Sequence, residues 1–174
     1  MRSIFVIAMI AAPALLPAQG GSQPSTLISA GPTYVFGAAS KWSETGYNIQ
    51  VGREFGHFGP ALFRIEALYL QRSGNGEPLS SMTQRTYALT GSLVLRSSRR
   101  LFGPFASAGL GLYGDNSWSV YSPGIHAGVG LESSIARVRF FAESGVHQYL
   151  RDARIFGQFG GGVTLVPLSF GVRF

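Results

Sequence analysis

Apolar and polar residues alternate with a period of two along most of the chain after residue 27. Such alternation places successive side chains on opposite faces of a β-strand, and here one face is apolar while the other is polar or small. Eight segments show the pattern, so eight strands are predicted. They span residues 27–39, 45–56, 61–72, 85–96, 102–113, 121–134, 138–150 and 166–174.

The sixth segment is the clearest example of the pattern. Its apolar face carries Tyr121, Ile125, Ala127, Val129 and Leu131. Its other face carries Ser122, Gly124, His126, Gly128, Gly130, Glu132 and Ser134. Because an eight-stranded barrel has a narrow interior, the repeated glycines favour the second face as the inward one.

The connections between the segments alternate in length. The longer ones are at about residues 40–44, 73–84, 114–120 and 151–165. The shorter ones are at about residues 57–60, 97–101 and 135–137. Strands of roughly 9–11 residues, joined by long loops on one side and tight turns on the other, are typical of transmembrane β-barrels in outer membranes.

Prolines are expected near strand ends, because proline cannot donate to a sheet ladder and a closed barrel has no free edge. Pro104, Pro123 and Pro167 fall within the first few residues of their segments. Pro32 falls inside the first segment, so the first strand is expected to begin near Gly31.

The aromatic residues of the apolar face are sorted by type. The tyrosines near the long connections are Tyr34, Tyr47, Tyr69, Tyr87 and Tyr121. The phenylalanines near the short connections are Phe55, Phe63, Phe140 and Phe174. Two aromatic girdles with smaller apolar residues between them are typical of a sheet that spans a bilayer.

The final segment reads V-P-L-S-F-G-V-R-F, with Phe170, Val172 and Phe174 on its apolar face. It resembles the C-terminal strand of bacterial outer-membrane β-barrel proteins, and the chain as a whole resembles their small eight-stranded members. The resemblance implies that these three residues form a signal read by the barrel-assembly machinery. The expected fold is all-β: an eight-stranded antiparallel up-and-down transmembrane barrel with a polar, small-residue interior and an apolar exterior with aromatic girdles.

Residues 1–20 have the pattern of a secretory signal peptide that is cleaved on export. Arg2 supplies the charged start, and residues 3–16 form an apolar run that is short for a membrane span. The single barrel domain is then residues 27–174, and the expected location is the outer membrane. The expected partners are outer-membrane lipid and the assembly machinery, with an unknown partner for the outer loops.

Composition narrows the function classes further. Charged residues make up 13% of the chain, against about 25% in typical soluble domains. Cysteine is absent, which excludes disulfides, thiolate metal sites and a lipoprotein anchor. The formal net charge is +6, but the arginines are scattered and the chain is exported, so nucleic acid is not expected as a partner.

The polar face carries acidic and basic residues in nearly equal numbers, and buried charges are tolerated only when they are paired. An interior ion-pair network is therefore predicted. Its members are Glu54, Arg64, Glu66, Arg96, Glu132, Arg139, Glu143 and Arg173. Arg53, by contrast, interrupts the apolar face of the second strand near its turn end, where a lipid-facing arginine costs about 0–1 kcal/mol.

His126 and His147 share the polar face of neighbouring strands. They are interpreted either as a metal or catalytic pair or as members of the interior hydrogen-bond network, and the spacing favours the network. No cysteine and no close His-x-His or Glu-x-x-His spacing accompanies them, so no metal, cofactor or catalytic residue is predicted. The lipid A deacylases among eight-stranded barrels use a His-x-Ser motif, and neither histidine is followed by it.

The predicted function is that of a non-enzymatic integral outer-membrane protein with a structural or surface-interaction role through four extracellular loops. Eight strands enclose a lumen that side chains fill, so the barrel is expected to be closed to bulk diffusion. Two alternatives stay open. A soluble periplasmic, lipocalin-like barrel would turn the apolar face inward around a lipid, and a lipid A acyl-modifying barrel would be an enzyme.

Overall fold

The computed structural model describes residues 25–37, 43–58, 61–72, 84–97, 102–114, 121–135, 138–150 and 162–174. They form eight β-strands, as predicted. In chain order these are β1 (Ser25–Gly37), β2 (Ser43–Phe58), β3 (Ala61–Arg72), β4 (Gln84–Arg96), β5 (Phe102–Gly114), β6 (Tyr121–Ile135), β7 (Val138–Leu150) and β8 (Gly162–Arg173). We call the end of the barrel that carries the longer connections the loop end, and the opposite one the turn end.

The sheet closes on itself. Every strand pairs antiparallel with its neighbours in the sequence, and β8 pairs antiparallel with β1. At this seam Ile28 lies opposite Val172, and Thr26 exchanges two backbone hydrogen bonds with Phe174, at 2.8 and 3.0 Å. A closed up-and-down barrel leaves no strand edge to pair with another chain, and the predicted fold class is confirmed.

The largest difference in strand boundaries is at β8, which was predicted to begin at residue 166 and begins at Gly162. The four residues by which β8 is longer than predicted include Val163 and Leu165, and both are buried in the barrel interior. From Leu168 onward the exposed, outward-facing residues are the apolar ones. The apolar face of β8 therefore switches sides along the strand, which interrupts the alternation that marks a strand in the sequence.

Pro32 does not mark the start of β1, and that prediction is wrong. β1 begins at Ser25 and continues through Pro32, which lies opposite Tyr47 of β2. The ladder between β1 and β8 runs to the pair Ala30 and Phe170 and resumes only at Thr33. Pro32 has no N–H to donate to β8, and the ladder between the two strands is interrupted at this point.

Two glycines are required by their positions. A Cβ atom on Gly31 would lie 1.9 Å from the carbonyl oxygen of Leu168 across the seam, so the backbones approach too closely for any side chain. Gly56 has a φ of 60° and lies where the register between β2 and β3 shifts, between Phe55 and Phe58. That shift is a β-bulge, which a left-handed glycine accommodates at the end of β2.

The predicted apolar faces point outward. Leu93, Leu110 and Val129 are among the large apolar side chains exposed on the exterior. The inward face is not uniformly polar, because it also carries two apolar clusters. The loop-end cluster consists of Val35, Leu68, Leu70, Ala88, Tyr113, Tyr149, Val163 and Leu165. The turn-end cluster consists of Leu27, Leu62, Val94, Phe105 and Phe141.

The predicted signal peptide, residues 1–20, lies outside the described residues, as do the central parts of the predicted long connections. Among the residues that are described, no helix has the length and hydrophobicity needed to cross a membrane.

Candidate functional site

A ring of four charged side chains crosses the barrel interior, with one residue from every second strand. Glu54 comes from β2, Arg96 from β4, Glu132 from β6 and Arg173 from β8. Their charges alternate around the ring, and each arginine contacts both carboxylates. We call this set the four-residue ring. Inward side chains of alternate strands share one level of a tilted barrel, so four of them fill its cross-section.

Glu54 is the most connected carboxylate of the ring. Arg96 Nη2 lies 3.0 Å from both of its carboxylate oxygens, and Arg173 Nε lies 3.0 Å from Oε2. Arg64 of the neighbouring strand β3 places its Nη2 3.1 Å from Oε1. On the other side, Ser25 Oγ of β1 donates to Oε2 at 3.1 Å. The Glu54 side chain is 3% exposed, so its charge is compensated almost wholly by these protein groups.

Glu132 closes the ring on the opposite side. It receives Arg96 Nε at 3.0 Å on Oε1, and Arg173 Nη1 donates to its Oε2. Arg139, which the sequence places in the same network, is peripheral. Its nearest Glu132 contact is 3.8 Å, and its side chain is 47% exposed. The reason is its position as the second residue of β7, where the inward face has already reached the mouth of the barrel.

A second group of charges lies next to the ring on the odd-numbered strands. Arg64 Nη1 donates to Glu143 Oε2 at 2.8 Å, and Ser107 Oγ donates to the other oxygen of Glu143 at 2.8 Å. Glu66 is more distant, with its Oε2 at 3.8 Å from the same Arg64 nitrogen. Arg64 therefore links the ring to a second pair of carboxylates.

Aromatic rings of the turn-end cluster pack against the guanidinium groups of two interior arginines. The Cζ atom of Arg173 lies 5.1 Å from the ring centroid of Phe141 and 5.8 Å from that of Phe105. Arg64 Cζ lies 5.6 Å from Phe105. Cation–π contacts of this kind are worth about 2 kcal/mol when desolvated, so the aromatic residues stabilise the cations while excluding water from them.

A small cavity of about 20 Å³ lies deeper towards the loop end, lined by Glu66, His126, Glu143 and His147 among others. The two imidazoles stack with their centroids 5.1 Å apart. His126 Nδ1 and Glu66 Oε1 are buried and have no hydrogen-bond partner among the described residues. A polar cavity of this size has room for about one water.

The loop-end cluster closes the lumen above this cavity. Tyr113 stacks on Tyr149 with ring centroids 4.7 Å apart and an interplanar angle of 4°. The Tyr113 hydroxyl is 2.9 Å from His147 Nδ1, which ties the aromatic layer to the polar layer beneath it. At the loop-end rim, Arg72 Nε lies 3.5 Å from Glu44 Oε2.

Asn48 has a structural role that was not predicted from the sequence. Its Nδ2 lies 2.9 and 3.2 Å from the carbonyl oxygens of Gly31 and Pro32 and 2.8 Å from Thr33 Oγ1, so its two hydrogens are shared among three acceptors. Ser169 Oγ of β8 donates to its Oδ1 at 2.9 Å. The side chain thus bridges the gap in the β1–β8 ladder. The signal in the sequence was an inward asparagine, but its use depends on the proline-containing strand beside it.

The structure places the predicted girdle residues on the exterior. Tyr34, Tyr47, Tyr121, Phe63 and Phe140 are exposed. Tyr69 and Tyr87 are half-buried because they pack on each other, with ring centroids 5.4 Å apart. Phe55 is half-buried beside Arg53. In the last strand, Phe170 and Phe174 are exposed and Val172 is half-buried on the same outward face.

The surroundings of His126 and His147 bear on the metal and catalytic interpretations. No group of three metal-ligating side chains occurs among the described residues. On β7, His147 faces inward, and Ser144 occupies the opposite face of the same strand because side chains alternate. The two cannot act together on one substrate.

Two of the solved structures that resemble this chain are informative about its fold. Neisserial surface protein A (NspA) superposes with a TM-score of 0.67 at 17% identity, covering 89% of this chain and 98% of that one. The fold is that of a small bacterial outer-membrane barrel. The outer membrane enzyme PagL superposes with a TM-score of 0.53 at 12% identity, covering 85% of this chain and 98% of that one. No family model and no curated protein matches the sequence.

Replacing Glu54 by the isosteric amide tests the ring. In Glu54→Gln, the surrounding arginines lose a buried counter-charge, and the free energy of unfolding is expected to fall by about 3–5 kcal/mol. The measurement is a urea titration of the refolded barrel in lipid vesicles. Arg139→Gln is the control, because it removes one charge from a side chain that is 47% exposed and lies 3.8 Å from Glu132, and it is expected to cost less than about 1 kcal/mol. Equal losses in the two variants would contradict a central role for the ring.

Proposed function

We propose that the protein is a non-enzymatic integral outer-membrane barrel that holds four surface loops. The observation that carries the proposal is the inverted distribution of polarity. Leu110 and Val129 on the exterior are 69% and 64% exposed, whereas Arg64 and Glu54 in the interior are 1% and 3% exposed. This arrangement is favourable only where hydrocarbon surrounds the barrel. A lipocalin-like carrier would need apolar side chains around a ligand cavity instead.

A lumen closed to bulk diffusion is the second part of the proposal. Its support is the filling of the cross-section at two levels, by the four-residue ring and by the loop-end cluster. The cavity between these levels measures about 20 Å³, which has room for about one water and not for a sugar. The barrel then acts as a solid anchor.

We propose that the longer connections face the outside of the cell and make the contacts with other molecules. Support comes from the sequence of residues 73–83, S-G-N-G-E-P-L-S-S-M-T, whose composition is typical of a solvent-exposed loop. Long external loops and short periplasmic turns are the usual arrangement in this class of barrel. Outer-membrane lipid would surround the exterior, and Phe170, Val172 and Phe174 would guide assembly.

The likeness to PagL does not favour an enzymatic role, because at 12% identity it concerns the fold alone. His147 is engaged by the Tyr113 hydroxyl in the interior, and neither inward histidine is followed by a serine two residues later. Release of acyl chains from lipid A by the purified barrel, lost in His147→Ala, would contradict this part of the proposal.

The location is tested by expressing the full chain in a Gram-negative host and fractionating the cells. We expect recovery from the outer membrane, with faster migration of the unheated than of the heated protein on a denaturing gel, because the closed barrel resists the detergent until it is boiled. Protease added to intact cells should cut only within the long connections. Recovery as a soluble periplasmic protein would overturn the proposal.

The same fractionation tests the assembly signal. Phe174→Ala should reach the outer membrane in lower yield, yet refold normally in detergent, because the change concerns recognition rather than packing. Phe102→Ala is the matched control, since Phe102 is an exposed aromatic at the turn end. Equal yields of the two variants would count against the signal.

The closed lumen is tested by liposome swelling. Vesicles that contain the refolded barrel are expected to swell in isotonic glucose no faster than empty vesicles, because two layers of side chains obstruct the path. Vesicles with a large-pore porin provide the positive control. Swelling at a rate proportional to the amount of barrel would show an open pore and contradict the proposal.

A further inference from the structure

Arg53 is a charged residue on the exterior of the barrel. It lies on β2 between the outward-facing Val51 and Phe55, and its cross-strand neighbours are Thr26 of β1 and Ile65 of β3. All of these neighbours except Thr26 are apolar. A ligand of Arg53 must therefore approach from the membrane rather than from the lumen.

The charge of Arg53 has no ion-pair partner in the part of the chain that the structure describes. Its Nε is buried and forms no hydrogen bond there, and its Cζ lies 6.0 Å from the ring centroid of Phe55. Phe55 is the next outward residue towards the turn end, about 7 Å along the strand. The guanidinium thus extends along the surface towards the membrane interface, where an anion can reach it.

The distribution of acidic residues favours an anionic ligand at this end. The acids of the chain are Glu44, Glu54, Glu66, Glu77, Asp115, Glu132, Glu143 and Asp152. They belong to the barrel interior, the loop-end rim or the long connections. The short connections contain none, and they contribute Arg99, Arg100 and Arg137 instead. The sequence thus puts an excess of positive charge at the turn end, which attracts an anionic membrane surface.

We propose that Arg53 and Thr26 form a binding site for the phosphodiester of an anionic phospholipid at the turn end of the barrel. The guanidinium would bind two phosphate oxygens through its planar fork, and the Thr26 hydroxyl would donate to the same group. Two backbone hydrogen bonds to Phe174 hold Thr26 in place. Ile65 and Phe55 would contact the acyl chains. The site rests on the proposed function, because a lipid reaches it only in a membrane.

The test measures lipid binding to the barrel refolded in a non-ionic detergent, by native mass spectrometry with phosphatidylglycerol or phosphatidylcholine. Wild type is compared with Arg53→Gln and with Arg85→Gln. Arg85 is a suitable control because it is exposed at the loop end of β4 and its replacement removes the same charge. We expect Arg53→Gln to bind phosphatidylglycerol about tenfold more weakly than the other two, and phosphatidylcholine to bind weakly to all three.

Thr26→Val provides a second variant that keeps the charge and the strand propensity. It is expected to weaken phosphatidylglycerol binding by about fivefold. Equal binding of phosphatidylglycerol by wild type, Arg53→Gln and Thr26→Val would overturn the site, and equal binding of both lipids by wild type would overturn its preference for an anionic lipid. The heat-dependent gel shift of each sample shows whether the barrel is folded. A folded barrel without selective lipid binding would overturn the lipid site and leave the proposed function intact. A wild type that stays soluble without detergent and shows no shift would overturn both.

Discussion

The backbone pairing between β1 and β8 is the interaction on which the other features depend. In hydrocarbon no water replaces a lost backbone hydrogen bond, so a sheet there must close. The chain pairs residues 27–30 and 33–37 of β1 with β8 and bridges the gap between them through Asn48. The close approach at Gly31 and the ring-locked Pro32 are compatible with closure because Asn48 Nδ2 lies 3.2 Å from the Pro32 carbonyl oxygen and Ser169 of β8 donates to Asn48 Oδ1.

Closure creates a narrow interior in which charge has to be matched locally. The four-residue ring meets this requirement by alternating acids and bases from every second strand, and Arg64 extends the pairing to Glu143. Phe105 and Phe141 then cover the cations. Buried pairs of this kind give little net stability compared with apolar packing, but losing one partner is costly. The ring thus makes the barrel sensitive to single charge changes.

The inward and outward faces of the sheet have different roles. The interior is filled by side chains at two levels, which supports a solid cylinder rather than a pore. The exterior is apolar between its aromatic girdles. Arg53, whose Nε has no hydrogen bond among the described residues, is an exception, and the proposed phospholipid site is based on it. Under the proposed function, contacts with molecules outside the membrane would be made by the connections at the loop end, since surface loops can vary without disturbing the strands.

The sequence by itself determined the number of strands and which residues of each strand share a face, because side chains alternate between the two faces of a strand. It also put Glu54, Arg96, Glu132 and Arg173 on the inward face. The tertiary structure alone decided which of them meet, since strand tilt and register set the level of each residue. For that reason Arg139 lies at the mouth, Asn48 serves the seam, Pro32 is inside a strand and the inward apolar residues form two clusters. These features depend on contacts with neighbouring strands, and they cannot be predicted from the alternation within one strand.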